Sequence, residues 1–417
     1  MDKFVIEGGR PLRGAVTVNG AKNAALPILV ATLLTDEPCE IDNVPRLRDI
    51  RTTIRLLEIL GKRVTVRGKR LRVEAGRRLK TQAPYEIVKQ MRASVLVAGP
   101  LLTRFGKVRT PLPGGCAIGL RPIDLHVKGL EAMGAAVRTE EGNVVFSAGE
   151  LRPARVRLTF PSVGATENIM MAAAGVPGAT VIENAAREPE IGDLAAFLGK
   201  MGARISGAGS SRIAVHGAAI LGGASHRVMS DRIETGTLLL ACAAAGGDVL
   251  LKGADPSHLK ALIAALRKSG ARVASGPSGL RVVSARRPRA VSIRTGPHPA
   301  FPTDLQAPWM AYMTRCRGRC RIHEAVFERR FLHAAELCRM GARISVHGDT
   351  AVVAGVPSIE AAEIMASDIR GGAALVVAGL AARGATEVQR VYHIDRGYER
   401  LERTLRRLGA RVRRAKA

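Results

Sequence analysis

Lys22, Arg92, Arg232 and Arg370, with Asp231, Asp304 and Asp368, stand at the leading ends of apolar, Ala- and Gly-rich segments. A charge in that position is not part of a solvated helix face. Helix N-termini present free N–H groups and the positive end of the helix dipole, which suit anions. Guanidinium and ammonium groups there fit carboxylate or phosphate recognition, and a neighbouring carboxylate fits proton transfer. For Asp231 and Asp368 a second reading is equally open, in which each is an ordinary N-cap and the Arg beside it a salt-bridge partner. A thiol and a guanidinium share Pro111–His126, PLPGGCAIGLRPIDLH, where Gly114 and Gly115 precede Cys116 and Gly119 precedes Arg121 and Pro122. Glycines on both sides predict a mobile loop, and nearby positive charge stabilises a thiolate. In Tyr392–Glu399, Arg396 next to Gly397 is placed to present a guanidinium at a tight turn.

Repeated elements must position these residues. The phrase Leu-x-x-(apolar or small)-Gly-(Ala or Lys)-x-(Val/Ile) recurs at Gly61, Gly134, Gly202, Gly270, Gly341 and Gly409, spaced by roughly 70 residues. Each copy predicts an amphipathic helix ending at the Gly, which takes the left-handed C-cap conformation at little steric cost. A strand, a turn and a second strand follow. Upstream of each phrase lies a segment apolar nearly all round: Ala24–Leu34, Ala93–Thr103, Asn168–Gly175, Thr235–Ala245, Leu305–Thr314 and Gly372–Arg383. Such helices are expected to be buried. The unit reads strand–helix–strand–helix–strand–strand, βαβαββ-like. Six units give two α/β lobes of three, with a boundary near residue 230. The leading strand of the first unit is placed at Ala15–Val18, which leaves the extreme N-terminus to pair elsewhere. An open solenoid fits less well, because the repeats are long and none shows a polar capping face.

The composition agrees with two domains. The chain has 417 residues, 47% of them hydrophobic but only 3% aromatic, so the core must be built from Ala, Val, Leu, Ile and Gly. No apolar stretch approaches the ~20 residues that span a bilayer. Met1-Asp2-Lys3-Phe4 shows no leader pattern, and six scattered cysteines read as reduced thiols, so a cytoplasmic protein is expected. Cys316 and Cys320 with His323 fit no usual zinc spacing and lack a second ligand pair, so no metal is expected. The formal charge of +28 would suit a nucleic-acid binder. Its densest cluster, Arg403 to Arg414, has no interleaved aromatics on which bases could stack, so no specific nucleic acid is expected.

Gly20–Pro27 (GAKNAALP), GGCAIGLRPIDLH, PSVGATENIM, SDRIETGT, FPTDLQA, SDIR and HIDRGYERL together resemble the UDP-N-acetylglucosamine 1-carboxyvinyltransferase family. They stand in the family's order, and the match runs from residue 3 to about residue 412. The shikimate-pathway enolpyruvyl transferases share the six-unit design but lack the Cys loop and the nucleotide-sugar segments. They are the second expectation, followed by a basic nucleic-acid-binding protein on a related repeat fold such as the RNA-phosphate cyclases. A catalytically retired homologue is disfavoured by the intact Lys22, Cys116, Asp304 and Arg396.

The resemblance implies a two-lobed inside-out α/β barrel, one lobe being 22–229 with a catalytic loop at about 112–122, the other 1–21 plus 230–417. Substrates, phosphoenolpyruvate and UDP-N-acetylglucosamine, would bind between the lobes, with no cofactor. It further implies that Lys22, Arg121 and Arg396, with Arg92 and Arg370 nearby, bind the anionic groups. Asp304 would be the base for the sugar hydroxyl, and Cys116 the proton donor to the methylene carbon and the target of fosfomycin. Asn23, Pro122, Ile123, Asp124, Leu125, Ser162, Val163, Gly164, Asp304 and Val326 would contact the nucleotide sugar, with Asp231, Arg232 and Asp368 in support. Arg329, where Asn is usual, and the stretch Thr295–Ala300 depart from the family pattern, as does Pro308.

Overall fold

The computed structural model describes residues 2–89, 91–111 and 123–416, with the backbone alone of 92 and 93. The chain divides into two compact units. Described residues between 20 and 229 form the first; residues 2–19 with 230–416 form the second.

Each unit is built on apolar helices. The first contains α1 (Lys22–Ala31), α2 (Ala98–Phe105) and α3 (Val163–Ala174). The second contains α4 (Arg232–Ala245), α5 (Gln306–Met313) and α6 (Ile369–Ala381). Their side chains are largely buried, and each trio forms the centre of its unit's hydrophobic core. Small residues permit this packing. A Cβ on Gly99 of α2 would lie 2.5 Å from the Asn168 carbonyl oxygen of α3, and one on Gly236 of α4 would lie 2.4 Å from Leu305 Cδ1. Larger side chains there would force the helices apart.

Four helices begin earlier than the sequence pattern suggests, α1 at Lys22 and three behind side-chain caps. Ser162 caps α3 by accepting from the Ala165 amide, Asp231 caps α4 through the Ile233 and Glu234 amides, and Asp368 caps α6 through the Arg370 and Gly371 amides. Thr166–Asn168, Arg232 and Arg370 therefore lie inside their helices, because capping satisfies the first amides and lets the helix start upstream of its apolar run. The expected helix 93–103 splits into a 3-10 turn, Arg92–Val97, and α2. Pro100 falls in the first turn of α2, where its missing N–H costs no helical bond. Pro308 stands likewise in the first turn of α5, behind the 3-10 turn Thr303–Leu305.

Among the described residues, five four-stranded sheets share a recurring pattern, a leading strand parallel to the next followed by two antiparallel ones, and a sixth sheet has three antiparallel strands. In the sheet of residues 247–283, for example, Gly247–Lys252 pairs in parallel with Leu12–Thr17 and antiparallel with Gly279–Val283. That register corrects the placement of the first unit's leading strand. Leu12–Thr17 leads this sheet of the second unit, whereas Ser225–Arg227 leads the sheet of Cys39–Asp42 in the first unit. Sequence order concealed the exchange, because both strands sit next to the crossings near residues 20 and 230. The extreme N-terminus, Asp2–Glu7, pairs antiparallel with Ala385–Gln389 and Arg411–Lys416. All six repeat glycines have positive φ, from 87° to 121°.

Candidate active-site residues

In the second unit the turn Thr303–Leu305 brings Asp304 to the mouth of α5. Its Oδ1 accepts from Arg330 Nη2 at 2.5 Å, and its Oδ2 from Arg370 Nη2 at 2.8 Å and Nε at 3.1 Å. The carboxylate side chain is 25% exposed, whereas the guanidiniums are 5% and 6% exposed. Burial alone would raise the Asp304 pKa, but the Arg370 and Arg330 charges outweigh it and hold the carboxyl well below its usual range. Burial likewise opposes the charge on Arg370, and Asp304, Tyr398 and Asp231 together more than offset it. Arg330 Nε and Arg370 Nη1 are buried donors without a protein acceptor among the described residues.

Asp368 aims Arg370 by capping its helix, and Asp231 caps α4 with Arg232 in the first turn. For both acids the N-cap reading is the one observed. Arg396 closes the turn Ile394–Arg396. The turn abuts Arg370: a Cβ on Gly397 would lie 3.4 Å from Arg370 Nη1 and 2.5 Å from Ile369 Cγ2. Arg370 also stacks over Tyr398 at 5.4 Å from the ring centre. Arg414 holds Asp395, the residue before Arg396, by a bidentate pair at 2.6 and 2.9 Å. Val326 is half-buried, and its amide donates to Glu324 at 3.0 Å. Asp304, Arg370 and the turn bearing Arg396 thus come together in this unit.

In the first unit, Lys22 opens α1 and lies 3.4 Å from Asp49 of the helix Arg48–Leu60, with Asn23 beside it half-buried. Gly20 is required just upstream, since a Cβ there would meet the Asn43 carbonyl oxygen. Ile123 caps the helix Asp124–Ala132, whose first turn carries Asp124, exposed, and Leu125, half-buried. The next residue, His126, joins this helix to the start of α3. A Cβ on Gly164 would lie 3.2 Å from its Cε1, and its Nδ1 meets Asn168 Nδ2 at 3.1 Å. Asn168 Oδ1 accepts from the Gly99 amide, so Nδ2 is the donor and His126, when neutral, carries its proton on Nε2. Ser162, Val163 and Gly164 are therefore brought beside Asp124 and Leu125. Cys116, Arg121 and Pro122 lie outside the described residues, as does the Arg92 side chain.

Arg330 and Glu324 carry the site geometry together with Thr303, and neither of the two was assigned a role from sequence. Arg330 stood in the atypical segment Phe327–Phe331. Its signal was a basic residue beside an aromatic in a loop rather than on a helix face. Arg329, the departure itself, is exposed. Cys39, Cys242, Cys316 and Cys320 are buried, and burial pushes the last three thiols up to about 12. They fit small apolar filler. Among the described residues no helix is long and apolar enough to cross a membrane.

The comparisons with known proteins agree with this geometry. Residues 6–405 match the EPSP synthase (3-phosphoshikimate 1-carboxyvinyltransferase) family. A UDP-N-acetylglucosamine 1-carboxyvinyltransferase of Anaeromyxobacter sp. (strain Fw109-5) is 54% identical, covering 100% of both chains. One of Elusimicrobium minutum (strain Pei191) is 51% identical over 99% of this chain and 98% of its own. The fold is shared with the enolpyruvyl transferase NikO from Streptomyces tendae, at 24% identity and a TM-score of 0.88 over 100% of this chain and 99% of NikO. EPSP synthase from Acinetobacter baumannii gives 18% identity and a TM-score of 0.77 over 100% of both chains. Full-length identity above one half to two such relatives, on a fold of six repeated α/β units, decides between the two enolpyruvyl expectations: this chain belongs to the EPSP synthase family and, within it, to the UDP-N-acetylglucosamine 1-carboxyvinyltransferases.

Proposed function

We propose that the protein transfers the enolpyruvyl group of phosphoenolpyruvate to the 3′-hydroxyl of UDP-N-acetylglucosamine, in the cytoplasm, as the first committed step of peptidoglycan synthesis. The sugar oxygen adds to the central carbon of phosphoenolpyruvate while the methylene carbon takes a proton. The tetrahedral intermediate then loses phosphate and a methyl proton, restoring the double bond.

The observation that carries this reading is the Asp304 carboxylate held ionised between two guanidiniums, each with a buried donor that has no acceptor among the described residues. Two forks beside one carboxylate suit a substrate with both phosphate and carboxylate groups. A strongly paired carboxylate is a weak base, because Brønsted behaviour ties proton affinity to pKa. Substrate anions that bind the remaining donors of Arg330 and Arg370 would share their positive charge and return basicity to Asp304 at the moment the sugar hydroxyl arrives. In this scheme Lys22, Arg92, Arg121 and Arg396 add positive charge, and Cys116 protonates the methylene carbon. Asn23, Pro122, Ile123, Asp124, Leu125, Ser162, Val163, Gly164 and Val326 hold the nucleotide sugar.

A coupled phosphate-release assay tests the proposal, with each substrate omitted in turn. Phosphate should appear only when UDP-N-acetylglucosamine and phosphoenolpyruvate are both present. Turnover with shikimate 3-phosphate in place of the sugar nucleotide would overturn the substrate assignment and leave the fold untouched.

A further inference from the structure

We infer that Glu324 and Thr303 are positioning residues for the Asp304 carboxylate, acting through Arg330; the inference rests on the reaction proposed above. Glu324 is 3% exposed, and a carboxylate so buried needs hydrogen-bond donors. Its Oε1 accepts from Thr295 Oγ1 at 2.8 Å, Thr303 Oγ1 at 2.9 Å, and the amides of Val326 at 3.0 Å and Phe327 at 3.3 Å. Its Oε2 accepts from Thr303 Oγ1 at 2.8 Å. One carboxylate thus ties together three pieces of chain: the end of the strand Ile293–Arg294, the turn before α5, and the loop after the strand Arg319–His323.

The direction of each bond is fixed by chemistry. Arg330 Nη1 reaches Thr303 Oγ1 at 2.8 Å and, as a guanidinium, can only donate. Thr303 must accept from it and send its own hydrogen to Glu324, which as a carboxylate can only accept. The guanidinium is planar and rigid, so seating Nη1 on Thr303 also sets Nη2, which lies 2.5 Å from Asp304 Oδ1. The order is Glu324, Thr303, Arg330, Asp304, and each member fixes the orientation of the next. Positioning errors of this kind act on turnover more than on affinity, because a reacting group slightly misplaced loses rate.

The test separates positioning from mere anchoring. Thr303→Val keeps the shape and removes the hydroxyl, whereas Thr303→Ser keeps the hydroxyl and removes a methyl. In steady-state phosphate release with UDP-N-acetylglucosamine and phosphoenolpyruvate, Thr303→Val should lower kcat about tenfold while both KM values stay within about threefold. Thr303→Ser should keep kcat within about twofold of wild type. Glu324→Gln, which turns one of the two oxygens that accept from Thr303 into a donating amide and removes the negative charge, should lower kcat by about threefold or more. Wild-type kcat in Thr303→Val, or an equal loss in Thr303→Ser, overturns the inference. Should Thr303→Val fail to fold, wild-type kcat in Glu324→Gln overturns it instead. The wild type measured alongside distinguishes the failures: no turnover there sinks the proposed reaction, whereas normal turnover with insensitive variants sinks only the positioning chain.

Discussion

The two units carry charge at the mouths of their buried helices in opposite styles. In the second unit Asp304 is gripped at 2.5 and 2.8 Å by guanidiniums that are themselves almost wholly buried. In the first, Lys22 and Asp49 approach only to 3.4 Å, although their side chains are 10% and 7% exposed. A clamped carboxylate is oriented in advance and stays ionised. An ammonium is a compact point charge without the planar fork that fixes a direction. One repeated scaffold therefore supplies a clamped carboxylate from one unit and a buried ammonium from the other. The helix mouth fixes only where a charge sits; the residues around it decide how firmly it is held.

The largest effect that would break this contrast is at Asp304. Asp304→Asn should cut kcat by about 10² to 10⁴, the usual worth of an acid–base group. It should also lower unfolding stability by about 3–5 kcal/mol in a urea titration, because two buried guanidiniums lose their counter-charge. A variant with normal turnover would show that the clamp is only structural. Lys22→Ala comes next: kcat/KM for phosphoenolpyruvate should fall about 100-fold, or about 2.7 kcal/mol, with a smaller stability loss than Asp304→Asn. Activity within about threefold of wild type would make Lys22 an ordinary helix-end charge.

A pH titration sharpens the contrast further, since the second unit's dry cluster also encloses His333. Burial, opposed by Asp368 and aided by Arg330, lowers its pKa from 6.5 to about 4. A histidine depressed on folding adds stability that is complete above its unfolded pKa and is lost as pH falls toward the folded one. Unfolding free energy should thus drop by about 2 kcal/mol between pH 7 and pH 5, at 1.36 kcal/mol per unit, and His333→Leu should remove that slope. Asp304, also depressed, contributes stability that is lost as pH falls from the ordinary carboxylate range downward, below the window of His333, so the two are separable. An unchanged slope in His333→Leu would place the acid sensitivity elsewhere. The smallest effect concerns the thiols. Cys338→Ser should change turnover by less than about twofold, and a single fosfomycin-sized adduct per chain should persist, mapping to Cys116. An adduct on any of the four buried cysteines would contradict the filler reading.

Much of this was legible in the sequence where the signal is local. Gly61, Gly134, Gly202, Gly270, Gly341 and Gly409 announce helix ends because their conformation depends on the residue itself. The burial of α1 to α6 follows from runs without a polar face. What escaped was non-local. The exchange of leading strands depends on which sheet edge Leu12–Thr17 meets, and that is a tertiary choice. The buried starts of α3, α4 and α6 lie upstream of their apolar runs because Ser162, Asp231 and Asp368 cap them, and a polar residue at a helix mouth suits a site as readily as a cap. Arg330 and Glu324 could not be singled out, since a loop Arg and a loop Glu look like solvated charge until folding places them on Thr303.

The central claim is an addition followed by an elimination, and turnover in D₂O tests it most directly. Protonation of the methylene carbon from an exchangeable group creates a methyl with one solvent-derived hydrogen, and elimination removes one of its three. Mass spectrometry of the product should therefore show deuterium in the vinyl methylene, with one phosphate released for each sugar nucleotide consumed. A product free of deuterium, or enolpyruvyl transfer without matching phosphate, would contradict the account.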